Sequence, residues 1–305
     1  MDIDSEEHGP ARDDFRAPRL IRTLLLCWKE ARPTVQVMCV LRVVAGSALA
    51  RTPMTLHGAT RVSTGVGSWV AASIAVYVFN GTRDLVEDRA NGSMRPVASG
   101  ALPVRAAEAL VLCCTLVALA VPMVVEPFLL GPVTVLLVLG YFYSARPVTL
   151  KKSVAGAFVF GFCFSFCAFL VGWLTLQRSW PSAAAWTCMV ALGVWTGLIG
   201  QTKDLGDREG DLLAGRRTLP ILLTERGAQS LLAAAALALG FVTVGWALWR
   251  APAVLPAALV LLVGGAAVAA TSLGADPEGG RAVRRRPYRI FMATQYLAAG
   301  VIIVL

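Results

Sequence analysis

The chain has 305 residues, of which 56% are hydrophobic and 15% are charged, whereas a soluble domain carries roughly a quarter charged residues. This composition excludes an ordinary soluble domain and predicts that the lipid bilayer surrounds the chain. The formal net charge of +9 does not indicate nucleic-acid binding, because the basic residues stand between apolar stretches, as in the cytoplasmic loops of membrane proteins.

The polar, acidic residues 1–25 predict a flexible cytoplasmic tail, and residues 26–305 predict one transmembrane domain. A helix needs about 20 apolar residues to cross the bilayer core, and nine stretches meet that requirement. They predict an all-α integral membrane protein of about nine transmembrane helices. The predicted spans are 34–51, 66–83, 106–124, 127–144, 154–175, 182–202, 227–249, 252–273 and 288–305.

The distribution of basic residues predicts the orientation of these spans. With the N-terminus in the cytoplasm, nearly every Lys and Arg lies on that side, as the positive-inside rule requires. The protein is then multi-pass, in the cell membrane if the source is bacterial, and the long polar connections 84–105 and 203–226 lie at its cytoplasmic face. Arg42 falls inside the first span, where a charge marks either a functional site or a side chain that snorkels.

The second span ends in a polar stripe. Asn80, Asp84 and Asp88 are four residues apart and would share one helical face. Oxygen ligands of this kind suit Mg²⁺, which one or two carboxylates commonly hold together with substrate phosphates. The alternative is a solvated helix end without chemistry.

The sixth span ends in a second stripe, formed by Asp204, Asp207 and Asp211. Both stripes are predicted on the cytoplasmic side, and carboxylates this close to a membrane are costly unless they are paired or bound to metal. Two carboxylate stripes on different helices predict Mg²⁺ ions bridged by a diphosphate. Cations that could contact the diphosphate stand nearby, namely Arg95, Arg146, Lys151 and Lys203.

Three segments resemble motifs of the UbiA superfamily of intramembrane prenyltransferases. The first stripe and the following RPVASG (95–100) resemble that family's NxxxDxxxD and RPxxSG motifs. The second stripe and GRRTLP (215–220) resemble its second aspartate motif and GxxTLP. YSARP (143–147), followed by Lys151, resembles its tyrosine-and-lysine segment. Gly81 stands where many members have a second acidic residue, and Gln201 where some have asparagine; neither departure removes a core ligand.

The resemblance implies nine transmembrane helices around a central cavity, capped by the two motif loops at the cytoplasmic face. It implies Mg²⁺ as the cofactor and a prenyl diphosphate as the substrate. The expected catalytic residues are Asp84, Asp88, Asp207 and Asp211. The expected metal ligands are these four with Asn80 and Asp204. The expected substrate-binding residues are Asn80, Arg95, Arg146, Lys151, Lys203, Arg42 and Tyr143.

Three functions remain open at this point. Most of the superfamily transfers the prenyl group to an acceptor, here an aromatic or other small molecule, whereas some members are terpene cyclases that need no acceptor. The fifth span is rich in phenylalanine, which would stabilise a carbocation by cation–π attraction or simply pack in the membrane. A transporter would instead place its charges near the middle of the bilayer.

Overall fold

The computed structural model describes residues 19–276 and 279–305. Over these ranges the chain is a bundle of long helices with no β-strand, apart from one isolated bridge between Ser153 and Arg217. The long helices are α2 (Pro33–Leu49), α3 (Leu56–Arg83), α5 (Val104–Val125), α6 (Leu130–Ser144), α7 (Val154–Leu176), α8 (Ala183–Leu198), α11 (Glu225–Arg250), α12 (Leu255–Leu273) and α14 (Arg286–Val304). The short helices are α1 (Arg19–Glu30), α4 (Leu85–Ala90), α9 (Arg208–Leu213), α10 (Leu219–Leu222) and α13 (Arg281–Arg284).

The predicted membrane architecture is confirmed. Within the described residues, eight helical segments are long and apolar enough to cross a membrane, and the ninth, α2, has 17 residues. The main difference in length is α3, which begins at Leu56, upstream of the predicted 66. Its first turns are too polar to be recognised by hydropathy, but Thr55 caps them by accepting a hydrogen bond from the Gly58 N–H at 3.0 Å.

The prediction of a flexible tail over residues 1–25 is wrong from Arg19 onward, where α1 begins; residues 1–18 lie outside the described part. Helix α1 is amphipathic. Its buried side carries Cys27, which packs against Val78 and Val97. Its outer side exposes Leu24 and Leu25. Apolar side chains spaced by three and four residues favour this helix over a disordered tail.

Glycines bring α2 and α7 into close contact near the centre of the bundle. A Cβ atom on Gly172 would lie 1.9 Å from the carbonyl oxygen of Val43, and one on Gly46 would lie 2.1 Å from that of Phe169. Small residues let membrane helices approach closely enough for their backbones to touch. The side chains of α7 on either side of this contact are thereby fixed in orientation.

The two predicted connections, 84–105 and 203–226, form the cap of the bundle, and each contains a short helix that ends in the same way. In α4 the Ser93 N–H donates to the Asp88 carbonyl at 2.8 Å, and in α9 the Arg216 N–H donates to the Asp211 carbonyl at 2.9 Å. Both turns need a left-handed residue, supplied by Gly92 (φ 61°) and Gly215 (φ 63°). The two short helices pack against each other across the end of the bundle.

Candidate active site

The two aspartate motifs do not lie on continuous helices, contrary to the expectation from their spacing. Helix α3 ends at Arg83, and Asp84 (φ −99°, ψ 18°) leads into α4. Likewise a 3₁₀ segment, Ile199–Gly206, ends before Asp207 (φ −117°, ψ 15°), which leads into α9. Both bends occur at an aspartate, a residue that competes with helical hydrogen bonding and favours helix boundaries. They turn the motif side chains over the end of the bundle.

Asp84 lies at the centre of the site and is 7% exposed. Lys151 Nζ forms a short ion pair with Asp84 Oδ1. Arg216 Nη2 is 3.3 Å from Asp84 Oδ2, which also accepts a hydrogen bond from Asn80 Nδ2 at 2.8 Å. The orientation of the Asn80 amide is set by the Ser144 hydroxyl, which donates to Asn80 Oδ1 at 2.9 Å. The Asp84 carboxylate thus connects α3 with the segment after α6, which carries Lys151, and with the connection 203–226, which carries Arg216.

Asp88 is held by Arg95, whose Nη1 is 3.1 Å from Asp88 Oδ2. The other terminal nitrogen of Arg95 is 2.6 Å from Glu30 Oε1 and donates to the Tyr77 carbonyl at 2.9 Å. Arg95 is 8% exposed and lines the cavity described below. Its guanidinium is therefore fixed at the edge of the site by acceptors from three parts of the chain.

Asp207 faces two arginines from the last part of the chain. Arg281 Nη2 is 2.6 Å from Asp207 Oδ1, and Arg285 Nη2 is 2.7 Å from Asp207 Oδ2. Burial raises the pKa of Asp207, but Arg285 and Arg281 outweigh burial, so its pKa lies below the ordinary value. The carboxylate is therefore ionised at neutral pH.

Asp211 is 2% exposed, and Arg216 Nη1 lies 3.4 Å from its Oδ1. Burial, followed by repulsion from the Asp204 carboxylate, raises the pKa of Asp211 to about 7. Asp204 is paired with Lys203, with 4.0 Å between Oδ1 and Nζ. Lys203 Nζ in turn donates to the Tyr143 hydroxyl at 3.4 Å. The second motif thus brings three carboxylates close together, each paired with at least one basic side chain.

A cavity of about 490 Å³ opens beneath these groups. Its mouth is lined by the aspartates of both motifs, while its interior is lined mainly by aromatic and aliphatic side chains. Phe160 stacks on Tyr143 with 4.3 Å between ring centroids, and Phe164 meets Tyr77 edge-on at 5.9 Å. A polar mouth over an apolar interior fits an amphiphilic ligand with an anionic head and a hydrocarbon tail.

One charged side chain lies within the apolar part of this cavity. Arg42 is 3% exposed, and its Nη2 donates to Thr196 Oγ1 at 2.8 Å and to Gln295 Oε1. Its guanidinium carbon lies 5.5 Å from the centroid of the Phe164 ring. Its other terminal nitrogen, Nη1, is buried and has no hydrogen-bond partner among the described residues. Arg42 therefore faces the cavity and does not snorkel to the surface.

The structure brings most of the predicted site residues together. The cavity is lined by Asn80, Asp84, Asp88, Arg95, Tyr143, Lys203, Asp204, Asp207, Asp211 and Arg42. Lys151 reaches the site through Asp84. Arg146 differs, because it is exposed and is not among the lining residues of the described chain. Its predicted role in substrate binding has no support in this geometry.

The phenylalanines of α7 divide between two faces. Phe160 and Phe164 line the cavity, and their rings stack with 5.9 Å between centroids. Phe162 and Phe166 stack on each other at 5.5 Å and are absent from the described lining. Phe160 and Phe164, and not Phe162 and Phe166, are therefore the rings that a ligand in the described cavity would meet. Alternation by two residues along a helix separates the side chains by roughly 200°, at 3.6 residues per turn.

Several residues at the site were not predicted from the motifs. Arg281 and Arg285 could have been found, since they are four residues apart just before the last span. Arg216, in the GRRTLP segment, has no sequence signal that separates it from the other basic residues of the predicted cytoplasmic loops. Glu87 joins the Lys151 and Arg216 cluster at 3.7 and 3.5 Å. Glu30 gave no sequence signal, because it lies far from both motifs.

The donor set can be compared with what a divalent cation needs. Among residues 19–276 and 279–305, no three Asp, Glu, His or Cys side chains converge on a preformed metal position. Each motif carboxylate is instead paired with a basic side chain. Oδ2 of Asp211 and Oε2 of Glu87 are nevertheless buried and have no hydrogen-bond partner within the described part of the chain. Unpaired carboxylate oxygens beside further carboxylates fit Mg²⁺, which prefers oxygen ligands.

These features define a multi-pass membrane protein with a charged cap over an apolar cavity. A family model described as the UbiA prenyltransferase family matches residues 39–293. The chain therefore belongs to the UbiA prenyltransferase family and is a membrane prenyltransferase of that family.

Three comparisons illustrate this relationship. Digeranylgeranylglyceryl phosphate synthase of Methanopyrus kandleri is 31% identical over 250 residues, covering 76% of this chain and 84% of the relative. Diterpene cyclase eriG of Hericium erinaceus is 39% identical over 64 residues, covering 19% of this chain and 20% of the relative. The structure of a UbiA homologue from Archaeoglobus fulgidus bound to GPP and Mg²⁺ has a TM-score of 0.69 at 19% identity, covering 92% of this chain and all of that one (100%).

Proposed function

We propose that the protein cleaves a prenyl diphosphate with the help of Mg²⁺ and transfers the prenyl group to a small acceptor inside the cavity. The observation that carries this proposal is the convergence of both aspartate motifs on the mouth of one apolar-lined cavity. The charged mouth would hold the diphosphate, and the interior would hold the hydrocarbon chain. The Archaeoglobus fulgidus homologue has GPP and Mg²⁺ bound, which supports a prenyl diphosphate and Mg²⁺ as the ligands.

Mg²⁺ would be held by Asp84, Asp88, Asp207 and Asp211, with the Asn80 amide oxygen and Asp204 close by. The ion would supply positive charge that stabilises the departing diphosphate. The basic partners of these carboxylates would then be released toward phosphate oxygens. Arg95, Lys151 and Lys203 are the predicted contacts, and Arg216, Arg281 and Arg285 join them in the structure. Arginine forks suit phosphate oxygens especially well.

The cavity interior has two tasks after the allylic carbon–oxygen bond breaks. It must exclude water, which would quench the carbocation, and the apolar walls do this. It must also stabilise the cation, for which the faces of Phe160, Phe164 and Tyr77 are available at the cavity wall. The aromatic groups that act on the cation are therefore those on one face of α7 and the adjoining face of α3.

Arg42 favours an acceptor over cyclisation. A buried guanidinium without a carboxylate partner in the described chain is costly, and its charge would repel a carbocation migrating through the cavity. An acceptor with a carboxylate or phosphate would pair with its free Nη1 and place a nucleophile beside the allylic carbon. The Methanopyrus kandleri relative is, by its name, a synthase of a prenylated glyceryl phosphate. An aromatic acceptor that carries a negative charge would pair with the Arg42 guanidinium in the same way.

The cyclase remains the second candidate function. The stacked aromatic wall of the cavity and the local similarity to a diterpene cyclase favour it. In that reaction the double bonds of the prenyl chain itself capture the cation, and no acceptor enters.

One experiment separates these outcomes. Purified protein is incubated with Mg²⁺ and a series of prenyl diphosphates, first alone and then with anionic aromatic or glyceryl phosphate acceptors, and the products are identified by mass spectrometry. The proposal expects prenylated acceptor, and only slow formation of prenyl alcohol without acceptor. A cyclic product formed at enzymatic rate from the diphosphate alone would favour the cyclase. A failure to consume any prenyl diphosphate in the presence of Mg²⁺ would contradict both functions.

The cap is proposed to face the cytoplasm, with the N-terminus on the same side and the C-terminus outside. Support comes from the basic residues, which concentrate in the cap and in the segment around Arg281 and Arg285. The opposite ends of the spans carry few basic residues.

A further inference from the structure

Glu30 connects the amphipathic helix α1 to the active site. It is the last residue of α1 and is fully buried, with 0% of its surface exposed. Its Oε1 lies 2.6 Å from Arg95 Nη2, and its Oε2 accepts the Val97 N–H at 2.9 Å. A single carboxylate therefore fixes both the side chain of Arg95 and the backbone that follows it.

The carboxylate of Glu30 occupies space next to α3 that a side chain at position 81 would otherwise fill. A Cβ atom built on Gly81 would lie 2.1 Å from Glu30 Oε1 and 2.3 Å from Arg95 Nη2. Gly81 is thus required by the Glu30–Arg95 pair. A carboxylate carried by residue 81 and the carboxylate of Glu30 would compete for one place beside Arg95.

This arrangement matters most when ligands bind. In the present structure Arg95 is held by Asp88, Glu30 and the Tyr77 carbonyl. If Asp88 turns to a metal ion, Glu30 is the remaining carboxylate on Arg95 in the described chain. Glu30 would keep the Arg95 guanidinium directed toward the cavity mouth. An arginine that rotated freely would have to be ordered on binding, and it would therefore bind phosphate oxygens more weakly.

We propose that Glu30 is a positioning residue for the diphosphate, so that α1 is part of the active site. This inference rests on the proposed binding of a prenyl diphosphate by Arg95. Glu30 acts through Arg95 and has no contact with the reacting atoms.

The test compares Glu30→Gln with a matched control, Glu126→Gln. Glutamine keeps the shape of Glu30 and an oxygen for the Val97 N–H, but it lacks the charge. Glu126 is also buried (2% exposed) and paired with arginines, Arg61 at 2.5 Å and Arg178 at 2.7 Å. It lies at the other end of α3, away from the described cavity lining.

Steady-state kinetics and inhibition by inorganic pyrophosphate with Mg²⁺ are measured on the folded fraction of each variant. We expect E30Q to raise the KM for prenyl diphosphate and the pyrophosphate inhibition constant about tenfold, the effect of weakening a charge-assisted contact. Its kcat should change far less. E126Q should leave both constants unchanged, even where it lowers thermal stability.

A relocated carboxylate provides the rescue. In Glu30→Ala the space of the Glu30 carboxylate is free, and Gly81→Asp returns a carboxylate there when the Arg95 guanidinium, which a Cβ atom on residue 81 would approach to 2.3 Å, shifts outward. The double variant should recover most of the affinity lost in E30A, whereas Gly81→Asp alone should be impaired because Glu30 already fills the space.

An unchanged KM and inhibition constant in E30Q would overturn the inference and leave the proposed function intact. Equal shifts in E30Q and E126Q would overturn it as well, because they would reveal a general structural effect. Failure of the wild-type protein to bind pyrophosphate or consume any prenyl diphosphate would instead contradict the proposed function.

Discussion

Replacement of Asp84 by Asn removes one negative charge and almost no volume from the centre of the site. The carboxylate of Asp84 is 7% exposed and contacts Lys151, which is 4% exposed, and Arg216 at 3.3 Å. Both cations would keep their positions but lose a partner. Because the groups are buried, the change should affect stability as well as catalysis.

The two effects can be given magnitudes. Breaking a buried ion pair by removing one partner costs about 3–5 kcal/mol of folding free energy. Loss of a contact that stabilises developing charge lowers the rate by roughly a hundredfold or more. In addition, Lys151 and Arg216 are freed for an anion, so pyrophosphate without Mg²⁺ should bind to D84N at least as tightly as to the wild type. D84N should therefore lose turnover while its binding of pyrophosphate without Mg²⁺ stays at least as tight as in the wild type.

Thermal unfolding in detergent, turnover of prenyl diphosphate, and pyrophosphate binding with and without Mg²⁺ measure these effects separately. Glu126→Gln is the control, since Glu126 is an equally buried carboxylate between two arginines at the opposite end of the bundle. It should lower stability without changing turnover by the folded protein. Turnover by D84N above about a tenth of wild type would refute the assignment of Asp84 to the metal site.

Three further changes test other parts of the reasoning. Phe160→Leu should lower turnover or alter the product, whereas Phe162→Leu on the other face of α7 should change neither; equal effects on product analysis would contradict the role given to the cavity wall. Arg42→Gln should raise the KM for an anionic acceptor about tenfold or more with little change for prenyl diphosphate, and the reverse pattern would remove Arg42 from the acceptor site. A reporter fused after Leu305 should be accessible from outside and one inserted at Gly92 only from the cytoplasm, so finding both on one side would exclude the seven spans predicted between them.

The membrane architecture and the aspartate motifs could be predicted because each has a local signal. Runs of apolar residues define the spans, and Asp84, Asp88, Asp207 and Asp211 follow helical spacings that a reader can count. What the spacing could not reveal is that the chain bends at Asp84 and Asp207, since a bend depends on what packs around it. The spacing predicted continuous helical stripes, whereas the chain bends at two of these aspartates and all four carboxylates are ion-paired.

Long-range partners had no comparable signal. Glu30 and Arg95 are separated in sequence by the whole of α2, α3 and α4, and their contact depends on how α1 docks beneath the first cap segment. The face of α7 that lines the cavity was equally hidden, because phenylalanine occurs on both faces and only packing against α2, α3 and α8 selects Phe160 and Phe164. Arg146 has the right charge and position in sequence, but its side chain lies at the surface.

The division of the site between two halves of the chain has a consequence for biosynthesis. As the helices enter the membrane in order, Asp84 and Asp88 are placed at the bilayer surface long before Arg216 is synthesised. Until the second half of the chain is synthesised, Lys151 and Arg95 are the basic partners available to these two carboxylates among the described contacts. The nascent chain thus has no closed reaction chamber, and neither short helix of the cap has its packing partner. Under the proposed function, ionisation of an allylic diphosphate requires both halves of the chain, because residues of both line the cavity and its mouth.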